Sequence, residues 1–156
     1  MTVITTTSEE QTEATARQFA VSLRRGDVVA LTGDLGTGKT QFVRGVCSAF
    51  RISHVSSPTF VMVNRYEGID ATGAELLVYH LDLYRATSPA DVWALGYEEL
   101  LGGNGICLIE WAEVLGDLLP VRRYDVHLEY GRQEHERRIT IGTIDGPHRG
   151  VSGSPQ

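Results

Sequence analysis

Asp27-Val28-Val29-Ala30-Leu31-Thr32 runs straight into Gly33-Asp34-Leu35-Gly36-Thr37-Gly38-Lys39-Thr40, and this stretch decides the fold. The first part is short, apolar and rich in β-branched residues, as expected of a strand buried on both faces. The second part satisfies G-x-x-x-x-G-K-[ST], and residues Lys39 to Phe50 read as the helix that follows. Glycines in such a turn let successive backbone N–H groups point inward, forming a nest for anionic oxygens at a helix N-terminus. In that geometry Lys39 reaches the β- and γ-phosphates of a nucleoside triphosphate, and the Thr40 hydroxyl is a Mg²⁺ ligand. The expected phosphate contacts are therefore Gly33, Asp34, Leu35, Gly36, Thr37, Gly38, Lys39, Thr40 and, in the first helical turn, Gln41. Lys39 is also the single lysine of a chain whose other basic residues are thirteen arginines. A slim ammonium fits inside such a loop where a broad guanidinium fork does not.

Working outward, Ser8 to Arg24 places Ala16, Phe19, Ala20 and Leu23 at helical spacing, with Ser8 as N-cap and Glu9 and Glu10 in the first turn. Gly26 ends that element. Beyond the phosphate loop and its helix, Phe60 to Tyr66 and Glu75 to Leu83 read as a hairpin joined by the turn-rich segment Glu67 to Ala74. Asp91 to Leu101 reads as a short helix, Ile106 to Trp111 as an apolar strand, and Ala112 to Leu119 as a short helix before Pro120. Two further strands, Tyr124 to Tyr130 and Arg137 to Ile144, flank a charged turn. Apolar strands separated by helices predict an α/β fold: three layers around a mainly parallel central sheet, with antiparallel additions. Residues 1–144 are expected to form a single domain, and the Gly-, Ser- and Pro-rich tail 145–156 to be disordered.

The bulk properties exclude several classes. Of 156 residues, 42 % are hydrophobic and 22 % charged, which suits one globular core. The net charge of −6 argues against a chain that grips nucleic acid by itself, because phosphate-backbone binding needs clustered cations. Arg132, Arg137 and Arg138 are the nearest approach to a cluster, and Glu134 and Glu136 are interleaved with them, so a solvated strand face is expected there. No apolar run is long enough to cross a bilayer, and residues 1–10 have no signal-peptide core, so a cytoplasmic location is expected. Cys47 and Cys107 lie in apolar segments without metal-ligand spacing and read as reduced core thiols.

A magnesium–nucleotide site also needs hard oxygen ligands. Asp82 and Glu110 each terminate an apolar strand, and ligands in open α/β sheets gather beyond strand carboxyl ends. Either acid is a candidate Mg²⁺ ligand, and Glu110 is alternatively placed to orient an attacking water. Thr59, on the loop after the first core helix, is a candidate γ-phosphate switch or a strand N-cap. His80 and Trp111 read as packing residues.

GDLGTGKT (33–40), SPTF (57–60), HLDLYR (80–85) and IEW (109–111), in this order, resemble the TsaE family, formerly YjeE. These are small ATPases of the bacterial pathway that makes threonylcarbamoyladenosine in tRNA. The resemblance covers Ser8 to Ile141. It implies ATP and Mg²⁺ as ligands, Asp82 as the Walker B aspartate, Glu110 as the magnesium-associated glutamate and Thr59 as the switch threonine. It places Glu9 near the nucleotide. It implies a TsaB–TsaD heterodimer as partner, with tRNA met only through that complex. The family's Gly-Arg pair before the last strand is absent: Glu134-His135 occupies that place, leaving Arg132 and Arg138 as the candidate arginines for the nucleotide. Two other readings remain on the residues alone, a small-molecule kinase and a nucleotide-gated binding module. Against the first, residues 86–105, the natural lid, contain no Arg or Lys.

Overall fold

The computed structural model describes residues 1–57, 62–101 and 103–144. Among the described residues seven strands form one sheet: β1 (Thr2–Thr6), β2 (Val28–Thr32), β3 (Val63–Ile69), β4 (Glu75–Asp82), β5 (Ile106–Glu110), β6 (Arg123–Tyr130) and β7 (Arg137–Ile144). Their order is β1-β7-β6-β2-β5-β4-β3. The central pairs β6/β2, β2/β5 and β5/β4 are parallel. Antiparallel pairs extend both sides, β3 on β4 at one and β7 and β1 beyond β6 at the other. The mainly parallel core with antiparallel additions is borne out.

β2 and β5 are buried almost throughout, because helices cover both faces of the sheet. α1 (Glu9–Ala20) and α2 (Lys39–Ala49) pack on one face, where Leu31, Val78, Leu108, Leu128 and Ile139 meet Ala16, Phe42 and Val46. On the other face α3 (Pro89–Trp93), α4 (Tyr97–Leu101) and a 3-10 segment (Ala112–Leu118) bury Ala30, Leu81, Ile109 and Tyr97. The three layers follow from these two cores. Ser8 caps α1 as its position suggests, accepting from the Gln11 N–H at 3.1 Å. Both thiols lie in these cores, and burial pushes each up to about 12.

Four local expectations are corrected. Thr2–Thr6, which carried no element in the sequence reading, is an edge strand on β7; it is exposed along most of its length, so its apolar alternation is faint. The single helix expected over Asp91 to Leu101 is two short helices, because Gly96 at φ 77° interrupts it. β3 continues to Ile69, so the turn before β4 is shorter than expected. The segment after Trp111 is 3-10 and breaks at Gly116 (φ 51°). Thr59 and the expected tail 145–156 lie outside the described residues. Among the described residues, no helix is long and apolar enough to cross a membrane.

Candidate functional site

β2 delivers the chain to Gly33 at the carboxyl edge of the sheet, and the loop returns as α2 with Gly38 as N-cap. Gly33, Gly36 and Gly38 have φ of 142°, 83° and 104°, a region that costs a side-chain-bearing residue steric strain. At Gly33 a Cβ would stand 2.4 Å from the Leu128 carbonyl oxygen, so the loop closes only over glycine. Thr37 ties the loop internally, its hydroxyl donating to the Asp34 carbonyl at 2.8 Å. From β6, the Tyr130 hydroxyl donates to the Leu35 carbonyl and props the loop from outside.

Lys39 is nearly buried. Its ammonium donates to the Gly33 carbonyl and, at 3.1 Å, to the Asp34 carbonyl, so it spans the loop mouth. It also lies 3.9 Å from the centroid of the Trp111 ring, a cation–π contact. Trp111 reaches this position because the chain turns through a left-handed conformation (φ 58°) directly after β5. Its ring packs on Tyr84, 5.0 Å between centroids. Burial pushes the ammonium's pKa below its ordinary value, and the carboxylates of Glu110, Glu113, Asp82 and Asp34 pull it back up.

The acids arrive by strand register. β4 and β5 pair in parallel with Asp82 level with Glu110. Alternation places Leu76, Val78, His80 and Asp82 on one face of β4, and Ile106, Leu108 and Glu110 on the same face of β5, toward α2. Glu110 is 3 % exposed. Its two carboxylate oxygens each accept from the Thr40 hydroxyl at 3.3 Å, and Oε2 meets His80 Nε2 at 2.5 Å. Asp82 is half-buried, and its Oδ1 accepts from the Tyr84 N–H at 3.1 Å. Burial raises its pKa, an effect the Tyr84 hydrogen bond opposes.

On the other side of the loop a cleft of about 240 Å³ is lined by Glu9, Thr12, the Gly36–Gly38 turn, Gln41 and Arg137. Gln41 donates to the Glu9 carboxylate at 3.1 Å, so these two expected residues are brought together. Arg137 stacks on the Tyr130 ring (4.8 Å) and donates to the Gly36 carbonyl at 3.4 Å. Of the two candidate arginines, Arg138 alternates to the opposite face of β7, and neither it nor Arg132 lines this cleft. In the sequence only strand phase distinguishes Arg137 from Arg138. His80 and Trp111 were read as packing, and their roles depend on the β4–β5 register and on a single left-handed turn.

The donor set fits Mg²⁺. Thr40 and Glu110 present a hydroxyl and a carboxylate to one another, Asp82 stands level with Glu110, and all carry hard oxygen atoms of the kind Mg²⁺ takes. Among the described residues no group of three or more His, Cys, Asp or Glu forms a metal cage. Mg²⁺ ordinarily takes one or two carboxylates and completes its shell with phosphate and water, so a partial protein set is what it uses.

A glycine loop with left-handed backbone that leads from a central parallel strand into a helix opening with Lys39 and Thr40, at the carboxyl edge of the sheet, puts the chain among the P-loop α/β proteins. The sequence profile described as Threonylcarbamoyl adenosine biosynthesis protein TsaE matches residues 6–139. The chain belongs to the TsaE family, as the motifs suggested. It is 42 % identical over 127 residues to the tRNA threonylcarbamoyladenosine biosynthesis protein TsaE of Rickettsia conorii, covering 80 % of this chain and 69 % of that one. The protein of the same name from Bacillus subtilis is 36 % identical over 141 residues, 89 % of this chain and 84 % of the relative. The crystal structure of Bacillus subtilis YdiB is similar at a TM-score of 0.74 and 32 % identity, over 93 % of this chain and 86 % of that one.

Proposed function

We propose that this chain is an ATPase of tRNA threonylcarbamoyladenosine biosynthesis, acting in the cytoplasm with a TsaB–TsaD heterodimer and meeting tRNA only through it. The observation that carries this reading is the convergence of Lys39, Thr40 and Glu110 on the mouth of the phosphate loop, in a member of the TsaE family. The loop amides from Gly33 to Thr40 hold the phosphates, and Lys39 neutralises charge on the β- and γ-phosphoryl oxygens. Thr40 and Glu110 hold Mg²⁺, with Asp82 beside them; the ion supplies charge stabilisation on the phosphates. Glu9, Gln41 and Arg137 line the cleft beside the loop and contact the rest of the nucleotide. Trp111 covers the ammonium and excludes water from it. Thr59 is the candidate γ-phosphate sensor, and residues 1–144 act as one domain.

The test is ATP turnover measured with the chain alone and then with purified TsaB and TsaD. Stimulation by the pair is expected. Phosphoryl transfer to a metabolite would instead make it a kinase, and nucleotide binding without turnover in either condition would leave a binding module.

A further inference from the structure

His80 is fully buried, yet its neighbours on the same face of β4, Leu76 and Val78, are aliphatic and fill the core without polar atoms. An imidazole in such a place costs free energy for each nitrogen left unpaired. Only one is paired. Nε2 meets Glu110 Oε2 at 2.5 Å, while Nδ1 is buried with no partner among the described residues. A carboxylate can only accept, so Nε2 carries the hydrogen in this contact. The site therefore tolerates one orphaned nitrogen in order to bring one N–H to one carboxylate oxygen.

That oxygen belongs to the group which also accepts from Thr40. Glu110 has three side-chain torsions; besides its contacts with His80 and Thr40 it interacts electrostatically with the Lys39 ammonium. Without the 2.5 Å contact to His80, only the Thr40 hydroxyl at 3.3 Å, a long and weak hydrogen bond, would hold the carboxylate's direction about those torsions. We propose that His80 is a positioning residue that clamps Glu110 through Nε2–H, aims the carboxylate at Thr40, and thereby sets the affinity of the nucleotide site for Mg²⁺. This rests on the nucleotide reading above.

The test uses the full chain and a fluorescent ATP analogue, with binding titrated in EDTA and then against Mg²⁺. His80→Leu removes the donor. His80→Gln keeps an N–H at the reach of Nε2, and His80→Asn offers the same amide only at the reach of Nδ1. Affinity in EDTA should stay within about two-fold of wild type, while the Mg²⁺ needed for half-maximal effect should rise about 10- to 100-fold in His80→Leu. His80→Gln should recover most of that loss and His80→Asn little, a comparison that stands even if His80→Leu fails to fold. Wild-type Mg²⁺ dependence in His80→Leu or His80→Asn would overturn the inference, as would equal losses with and without Mg²⁺. If the wild-type chain showed nucleotide binding that Mg²⁺ does not alter, the site reading itself would fall first.

Discussion

Lys39 and Glu110 sit at the same loop mouth but answer to different parts of the proposed reaction. Lys39 spans the Gly33 and Asp34 carbonyls and is the one ammonium in the site, so replacing it removes charge from both bound and reacting phosphate. Lys39→Ala should lower ATP turnover at least about 100-fold while its circular dichroism stays that of the wild type. Glu110→Ala should depress turnover more than nucleotide affinity, because its carboxylate meets Thr40, where the proposed metal would sit, rather than the loop amides. Equal loss of both quantities would make Glu110 a structural group only. Single-turnover kinetics alongside equilibrium binding separates the two outcomes. The loop itself was legible from sequence because its residue types are dictated locally: glycines for left-handed backbone, one amine, one hydroxyl. His80 and Arg137 were not, because each acquires meaning only from a partner far along the chain.

The elements are positioned by close contacts that propensity alone does not reveal. α1 and α2 approach each other at Gly45, where a Cβ would stand 2.2 Å from the Glu13 carbonyl oxygen and 2.6 Å from the Ala16 Cβ. In an isolated helix Gly→Ala gains about 1 kcal/mol, but overpacking against backbone costs about 1–3 kcal/mol or more. Gly45→Ala should therefore destabilise the fold by about 1–2 kcal/mol in chemical denaturation, the sign opposite to helix propensity. At the β3–β4 turn, Asp70 accepts from the Thr72 hydroxyl at 2.6 Å, from the Ala74 and Thr72 N–H groups, and pairs with Arg25. The Thr72 hydroxyl contributes most to lowering the carboxyl from 3.8 to about 2. A carboxyl depressed in the folded state stabilises it above its unfolded pKa and stops doing so as pH falls through its folded one. Asp70→Asn keeps the oxygen acceptor and loses the charge, so wild type should be the more stable at pH 7. The gap should close as pH falls from about 4 to about 2, measured by urea unfolding across that range. A gap independent of pH would mean that the turn's hydrogen bonds, not the charge, are responsible. The parallel core was readable in advance because β2 and β5 are continuous apolar runs. β1 and the α3–α4 break were not, the first being a mostly exposed edge and the second hanging on the single positive φ of Gly96.

At the scale of the whole molecule, the phosphate loop lies where independent parts of the fold meet. Its strand is central in the sheet, its helix belongs to one covering layer, and Trp111 leads into the 3-10 segment of the other. Glu110 and Asp82 add two more parallel strands, and Tyr130 and Arg137 add the antiparallel extension. A ligand held by all of these loses its site as soon as any one of them separates, so binding must be linked to global unfolding rather than to a local loop. A ligand present at 100 times its Kd and bound only to the native state adds about 2.7 kcal/mol of stability. For a chain of this size each kcal/mol moves the melting temperature by about 2–4 °C, so saturating Mg²⁺–ATP should raise it by roughly 5–10 °C. Lys39→Ala should melt near the wild-type temperature without nucleotide and show little of that rise. The two layers should respond together, so tryptophan fluorescence, which reports Trp111 at the loop and Trp93 on α3, should give the same midpoint as far-ultraviolet circular dichroism. Separate midpoints would show that the nucleotide stabilises only the loop and its helix. No shift at all in the wild-type chain would remove the nucleotide from the site altogether.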